Sequence, residues 1–123
     1  MNQLAAEIKN SLNTLDVEEA GSLTAKFIFS AEFAGFKGHF PGNPILPGVC
    51  LIQSVLLVCR EGKKKDFPLK EIIEAKFFSP VAPGEEISCR CEEVSQMDSS
   101  VTIKAWINKA ETKVAFIRLR LES

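Results

Sequence analysis

The chain has 123 residues, a formal net charge of -1, one histidine, no tyrosine and four cysteines. Near-neutral charge removes the electrostatic footprint of nucleic-acid binding, and a single histidine removes every metal site that needs two. At 46% hydrophobic and 25% charged, it is globular material sized for one domain over residues 1–123 with its own core.

The N-terminus from Met1 to Lys9 lacks the basic start and apolar run of a signal peptide. The longest apolar stretch, Val49 to Cys59, is interrupted by Gln53 and Ser54 and is shorter than the roughly 20 residues a membrane span needs. A cytoplasmic protein without a membrane segment is expected. Cys50 and Cys59 fall in that apolar stretch. Cys89 and Cys91 are two apart on an expected strand and so share a face. No CxxC spacing exists, so reduced buried thiols are expected rather than zinc ligands or disulfides.

Residues 2 to 12 place Leu4, Ala5, Ile8 and Leu12 at helical spacing. Asn13 to Glu19 alternates weakly as a first strand, and Ala20-Gly21-Ser22 reads as a hairpin turn. Leu23 to Phe29 is a strand with Leu23, Ala25, Phe27 and Phe29 on one face. Ser30 to Pro47 is dense in glycine and proline, which predicts a long stiff loop without regular structure. Such loops inside small domains are usually functional. Gly48 to Glu61 is a helix with apolar residues on every side, which predicts burial all round. Its exit carries Lys63-Lys64-Lys65. Four strands follow: Leu69–Ser79, Glu85–Val94, Ser99–Asn108 and Lys113–Leu121, with turns at Val81–Gly84 and Gln96–Asp98. Val101, Ile103, Ala105 and Ile107 share a face, as do Ala115, Ile117, Leu119 and Leu121, while Arg118, Arg120 and Trp106 point outward.

The pattern predicts an α+β fold, a curled antiparallel sheet wrapped around one long buried central helix. This is the hotdog arrangement. Such a sheet keeps an open edge strand, and pairing edges between copies removes it. A homodimer or higher oligomer is therefore expected.

The chemistry concentrates in Gly38-His39-Phe40-Pro41-Gly42-Asn43-Pro44-Ile45-Leu46-Pro47-Gly48-Val49. Prolines stiffen the backbone beside His39, and Pro47 precedes the helix. The first helical amides, near Gly48 and Val49, have no intrahelical acceptor. A carbonyl oxygen there gains hydrogen bonds and the positive helix end. His39, with an ordinary pKa of about 6.5, suits a general base for a proton alpha to that carbonyl. The residues alone leave His39 equally open to a structural loop role.

The segment Phe29 to Gln53 resembles the beta-hydroxyacyl-acyl carrier protein dehydratases, whose hallmark is GHFPG followed by PGV at the central helix. A second block, Glu74 to Glu85, is similar to that family's AKFxxPVxPGD, with Glu85 where Asp is usual. The resemblance covers roughly residues 15 to 121. It implies dehydration of a 3-hydroxyacyl thioester to a trans-2-enoyl thioester, in fatty-acid or related polyene or polyketide synthesis. It implies no metal or redox cofactor, a substrate carried on phosphopantetheine of acyl carrier protein or coenzyme A, and an active site in an apolar tunnel at a dimer interface. His39 matches the catalytic histidine and Gly48 the glycine whose N–H polarises the carbonyl. Val49, Phe40 and Pro47 line the substrate side. The catalytic acid, contributed across the dimer interface, falls at Gln53. Glutamine orients a hydroxyl but transfers no proton as a carboxyl does. Among nearby acids, Glu61 lies about 12 Å further along the helix, and Glu32 sits in the loop. Gln53 and Ser54 are the only polar side chains expected within the buried run, so Gln53 is read as lining a polar pocket. Two alternatives follow from Gln53: an acyl-thioester-binding subunit that forms a heterodimer with an active hotdog paralogue, or a hotdog thioesterase. Lys63–Lys65, or Arg118 and Arg120, are candidate contacts for an acidic carrier.

Overall fold

A computed structural model describes residues 3–37 and 42–123. It opens with helix α1 (Gln3–Ser11), followed by strands β1 (Leu12–Val17) and β2 (Leu23–Ile28). After the long loop come helix α2 (Gly48–Lys63) and strands β3 (Leu69–Phe77), β4 (Glu86–Met97), β5 (Ser100–Lys109) and β6 (Thr112–Glu122). The six strands form one sheet in the order β1-β2-β4-β5-β6-β3. Every neighbouring pair is antiparallel, so β1 and β3 are its edges.

Period-two alternation explains why these segments are strands and which face is inner. Leu23, Ala25, Phe27 and Phe29 are all buried, and so are Val101, Ile103, Ala105 and Ile107 on β5. Ala115, Ile117, Leu119 and Leu121 of β6 join them. Cross-strand register stacks these side chains in rows, Ala25 opposite Cys89, Cys89 opposite Ile107 and Ile107 opposite Ala115. Helix α2 lies on this apolar face with Cys50, Leu51, Val55, Val58 and Cys59 buried. Ser54 is also buried, and its Oγ donates to the Cys50 carbonyl at 2.7 Å. This back-bond satisfies a hydroxyl without leaving the helix.

Three expectations change. Helix α2 is not buried all round: Val49 is 56% exposed, Gln53 is exposed and Leu56 is half-buried. These positions recur at helical spacing and form one outward stripe, which the single curled sheet leaves uncovered. The loop from Ser30 is not free of regular structure either. Ala34–Phe36 form a 3-10 turn, held by Phe36 N–H to the Phe33 carbonyl at 3.1 Å and by Lys37 N–H to the Ala34 carbonyl at 3.1 Å. Finally, β4 runs to Met97 and its turn shortens to Asp98 and Ser99. Asp98 takes φ of 44°, a left-handed conformation Asp tolerates better than most residues.

Candidate active site

The start of α2 is built from backbone. Pro47 is its N-cap, extended at φ −63° and ψ 147°. Proline has no N–H, so nothing is lost at that position. The first helical bond runs from Cys50 N–H to the Pro47 carbonyl at 3.0 Å. The Gly48 and Val49 N–H groups have no acceptor among the described residues, as the first turn of a helix dictates. Gly48 has a second reason to be glycine. A Cβ there would stand 2.8 Å from Phe77 Cζ, so the ring at the end of β3 lies against the bare helix start. Phe77 is 50% exposed and covers this point only from one side.

The two sequence blocks meet through backbone bonds. Leu46 N–H donates to the Val81 carbonyl at 2.8 Å, and Gly84 N–H donates to the Phe29 carbonyl at 2.8 Å. Leu46 and Val81 are both buried. The turn before β4 is held by Glu85, whose Oε1 accepts Ala82 N–H at 2.7 Å. Lys109 Nζ donates to the Pro80 carbonyl at 2.6 Å and to Glu85 at 3.1 Å. The Ala82 N–H, then Lys109, hold the Glu85 carboxyl below its usual range. The loop's other arm is fixed by a tilted and an edge-on ring contact. Phe29 lies 4.7 Å from Phe33, and Phe33 lies 5.8 Å from Phe36. Ala34 N–H donates to Glu7 Oε1 at 2.9 Å, which ties the 3-10 turn to α1. Phe27, Phe29, Phe33 and Phe36 are thus core. His39 and Phe40 lie outside the described residues.

Gln53 departs from its expected place. It is exposed rather than buried, and its amide has no hydrogen-bond partner among the described residues. It lines an open groove of about 290 Å³ between α1, α2 and the segment entering β3, with Ile8, Leu56, Arg60, Asp66 and Leu69. Burial within the apolar run fails because positions 49, 53, 56 and 60 share the uncovered stripe. The groove it lines is mixed, with Ile8, Leu56 and Leu69 beside Arg60 and Asp66. Arg60 and Asp66 were not legible as its neighbours, because one follows the apolar run and the other lies beyond the helix. Glu61 is held by Lys9 and Arg60, each at 3.7 Å. Glu32 is exposed and lines a separate depression with Glu7 and Ser30. Neither carboxyl lines the Gln53 groove.

All four thiols are free and buried. Burial pushes Cys50 up to about 11. A hydrogen bond to Cys91, followed by burial, raises Cys59 further. Cys89 and Cys91 Sγ stand 3.7 Å apart. Among the described residues no group of three or more His, Cys, Asp or Glu is placed to hold a metal ion, and no helix is long and apolar enough to cross a membrane.

Comparison with known proteins places this geometry. The ApeI-like family, described as ApeI dehydratase, matches residues 15–116. The chain is 33% identical over 111 residues to the 3-hydroxyacyl-[acyl-carrier-protein] dehydratase FabZ of Levilactobacillus brevis, covering 85% of this chain and 73% of that relative. It is 32% identical over 113 residues to the corresponding FabZ of Lactobacillus helveticus, covering 86% of this chain and 74% of the relative. Among solved structures it is similar to the dehydratase heterocomplex ApeI:P from Xenorhabdus doucetiae, with a TM-score of 0.75 at 18% identity over 91% of this chain and 96% of that one. It is also similar to the PaaI protein of E. coli from the phenylacetic acid degradation operon, with a TM-score of 0.70 at 13% identity over 98% of this chain and 90% of that one. These structural likenesses establish the hotdog fold.

Proposed function

Because the chain belongs to the ApeI-like dehydratase family, we propose that it converts a 3-hydroxyacyl thioester, carried on acyl carrier protein or coenzyme A, into the trans-2-enoyl thioester and water. The observation that carries this reading is the bare start of α2. Among the described residues two N–H groups have no acceptor at the positive end of a helix, and Gly48 brings no side chain to block them. The thioester carbonyl accepts from Gly48 N–H, which stabilises negative charge developing on its oxygen. His39 takes the proton from the carbon alpha to that carbonyl. The bond from the beta carbon to its hydroxyl breaks, and the hydroxyl leaves as water with a proton returned from the His39 imidazolium. Gln53 orients that hydroxyl through its amide. It supplies no proton, so His39 alone carries the proton from carbon to oxygen. In this reading protein groups perform every step, Gln53 from a second subunit included, and no metal or redox cofactor takes part.

Assay with 3-hydroxyacyl and enoyl thioesters tests the reading. Turnover by the wild type and its loss in His39→Ala are expected. Gln53→Glu restores a positioned acid, and a gain of about 10²–10⁴-fold is expected if acid transfer limits the rate. A wild type without turnover, or a His39→Ala variant with undiminished turnover, overturns it.

A second reading is favoured by the exposed stripe of α2 and the apolar edge of β3. Leu69, Ile72 and Phe77 are all exposed on an edge strand, which invites strand pairing with another subunit. In this reading the chain is an acyl-binding subunit whose hotdog partner supplies the carboxyl missing at Gln53. Co-purification of such a subunit, with activity appearing only in the pair, is its expected result.

A further inference from the structure

The ring of Phe77 stands beside the amides that the proposed reaction uses, yet no step of that reaction calls on it. Strand alternation sets Lys76 outward and Phe77 inward, toward the side of the sheet on which α2 lies. Ala75, on the same inner face, is partly buried against the core. Phe77 is the last residue of β3, and α2 begins beneath it. Its ring therefore overhangs the helix end, and half of it is left bare. A Cβ at Gly48 would stand 2.8 Å from its Cζ and 3.1 Å from Cε1 and Cε2. The ring thus points tip-first at the glycine and fills the room a side chain would take. Backbone fixes both sides of this contact. Phe77 lies opposite Ala115 of β6, and Phe78 N–H donates to the Val114 carbonyl at 2.8 Å. Leu46 N–H to Val81 and Cys50 N–H to Pro47 hold the helix entry.

A carbonyl oxygen that accepts from Gly48 N–H brings its neighbouring atoms to the ring. Standard bond and hydrogen-bond lengths put the alpha carbon no more than about 5.7 Å from the Gly48 nitrogen. The ring tip, in contact with the position of a Gly48 Cβ, lies within the same radius. An unbranched acyl chain presents only hydrogens at the alpha carbon. An alpha-methyl group needs room that the ring already takes.

We propose that Phe77 is a specificity-determining residue, a wall beside the alpha carbon that admits 3-hydroxyacyl thioesters unbranched at that carbon and rejects those with an alpha-methyl group. This rests on the thioester reading for the ligand's place at the Gly48 amide, so selection is measured by binding as well as by turnover. Enoyl formation is compared for pantetheine thioesters of equal chain length, with and without the alpha-methyl group, in the wild type, Phe77→Ala and Phe77→Leu. Titration calorimetry with octanoyl and alpha-methyloctanoyl pantetheine, which have no hydroxyl to lose, reads binding alone. The wild type is expected to prefer the unbranched member by roughly 10–200-fold, the range that one methyl group commands in a shaped pocket. Phe77→Ala is expected to bring that ratio close to unity by admitting the branched member, and Phe77→Leu to fall between. Thermal melts accompany each variant, and Phe77→Leu keeps the comparison if Phe77→Ala melts early. An unchanged ratio in both variants, or a loss shared equally by both substrates, overturns the wall. Turnover by a wild type that does not discriminate also overturns it and leaves the dehydratase reading standing. Selective binding without turnover, lost in Phe77→Ala, does the reverse. A wild type that neither binds nor turns over either thioester overturns both.

Discussion

Gly48→Ala separates packing from chemistry at the helix start. The new methyl stands 2.8 Å from Phe77 Cζ and 3.1 Å from Cε1 and Cε2. Comfortable carbon contact is about 3.5–4.0 Å, so the ring retreats by roughly 0.7–1.2 Å. Phe77 is half-exposed and has solvent to move into, which keeps the cost low. Alanine also favours a helix over glycine by up to about 1 kcal/mol, and the first helical position recovers part of this. Net stability is therefore expected to stay within about 1 kcal/mol, a change in Tm of no more than about 5 °C. Activity behaves differently. The methyl and the displaced ring narrow the approach to the Gly48 N–H, and losing one such donor costs about 10²–10³-fold in kcat. Enoyl thioester formation followed by absorbance, with thermal melts on the same samples, reads both quantities. Phe77→Ala in the Gly48→Ala background reopens the space and is expected to recover part of the rate. A Gly48→Ala protein that melts normally and turns over at an undiminished rate would refute the assignment of this amide to the carbonyl.

The turn at Glu85 predicts a pH dependence. Its carboxyl is held low by Ala82 N–H and Lys109, so the stabilisation is present at neutral pH and fades as pH falls through the carboxylate range. Melts on acidification are expected to drop less steeply for Glu85→Gln than for the wild type, and parallel slopes would remove the turn from the account. The thiols predict inertness. With all four buried and the Cys50 and Cys59 pKa values raised, native protein at about pH 8 is expected to resist thiol reagents. Four thiols react once the chain is denatured, and rapid labelling of any of them in the native state contradicts their burial.

What the sequence made legible follows from periodicity. Leu23, Ala25, Phe27 and Phe29 alternate with polar or exposed neighbours, so both the strand and its inner face could be read, and the same holds for β5 and β6. Periodicity fails where an apolar residue faces outward. Val49 and Leu56 are chemically like Val55 and Leu57, yet the first pair lies on the uncovered stripe and the second in the core. Ile72 and Phe77 raise the same difficulty on β3. The motifs revealed which loop carries chemistry but not how it is held. Its staple, Leu46 to Val81, is a backbone bond and leaves no side-chain signature. Lys109 joins Glu85 across 24 positions, beyond the reach of local pattern.

Helix geometry sets Gly48 and Gln53 on different sides of α2. Gly48 and Gln53 are five residues apart, which turns their side-chain directions by roughly 140° about the axis and separates them by about 7.5 Å along it. Gly48 faces the Phe77 ring, whereas Gln53 faces the groove beside α1 and Leu69. The side-chain directions at Gly48 and Gln53 therefore lie on different faces of α2. In the proposed function the residue at position 53, or its carboxylic counterpart, acts from another subunit, the arrangement that the family resemblance implies. The outward stripe of Val49, Gln53 and Leu56 and the apolar edge of β3 are surfaces that a single copy leaves uncovered. The exposure of Gln53 contradicts burial in the core and leaves the side chain free for the proposed role in a second subunit's site. The same geometry serves both functional readings. They differ only in whether the subunit opposite carries glutamine or a carboxyl.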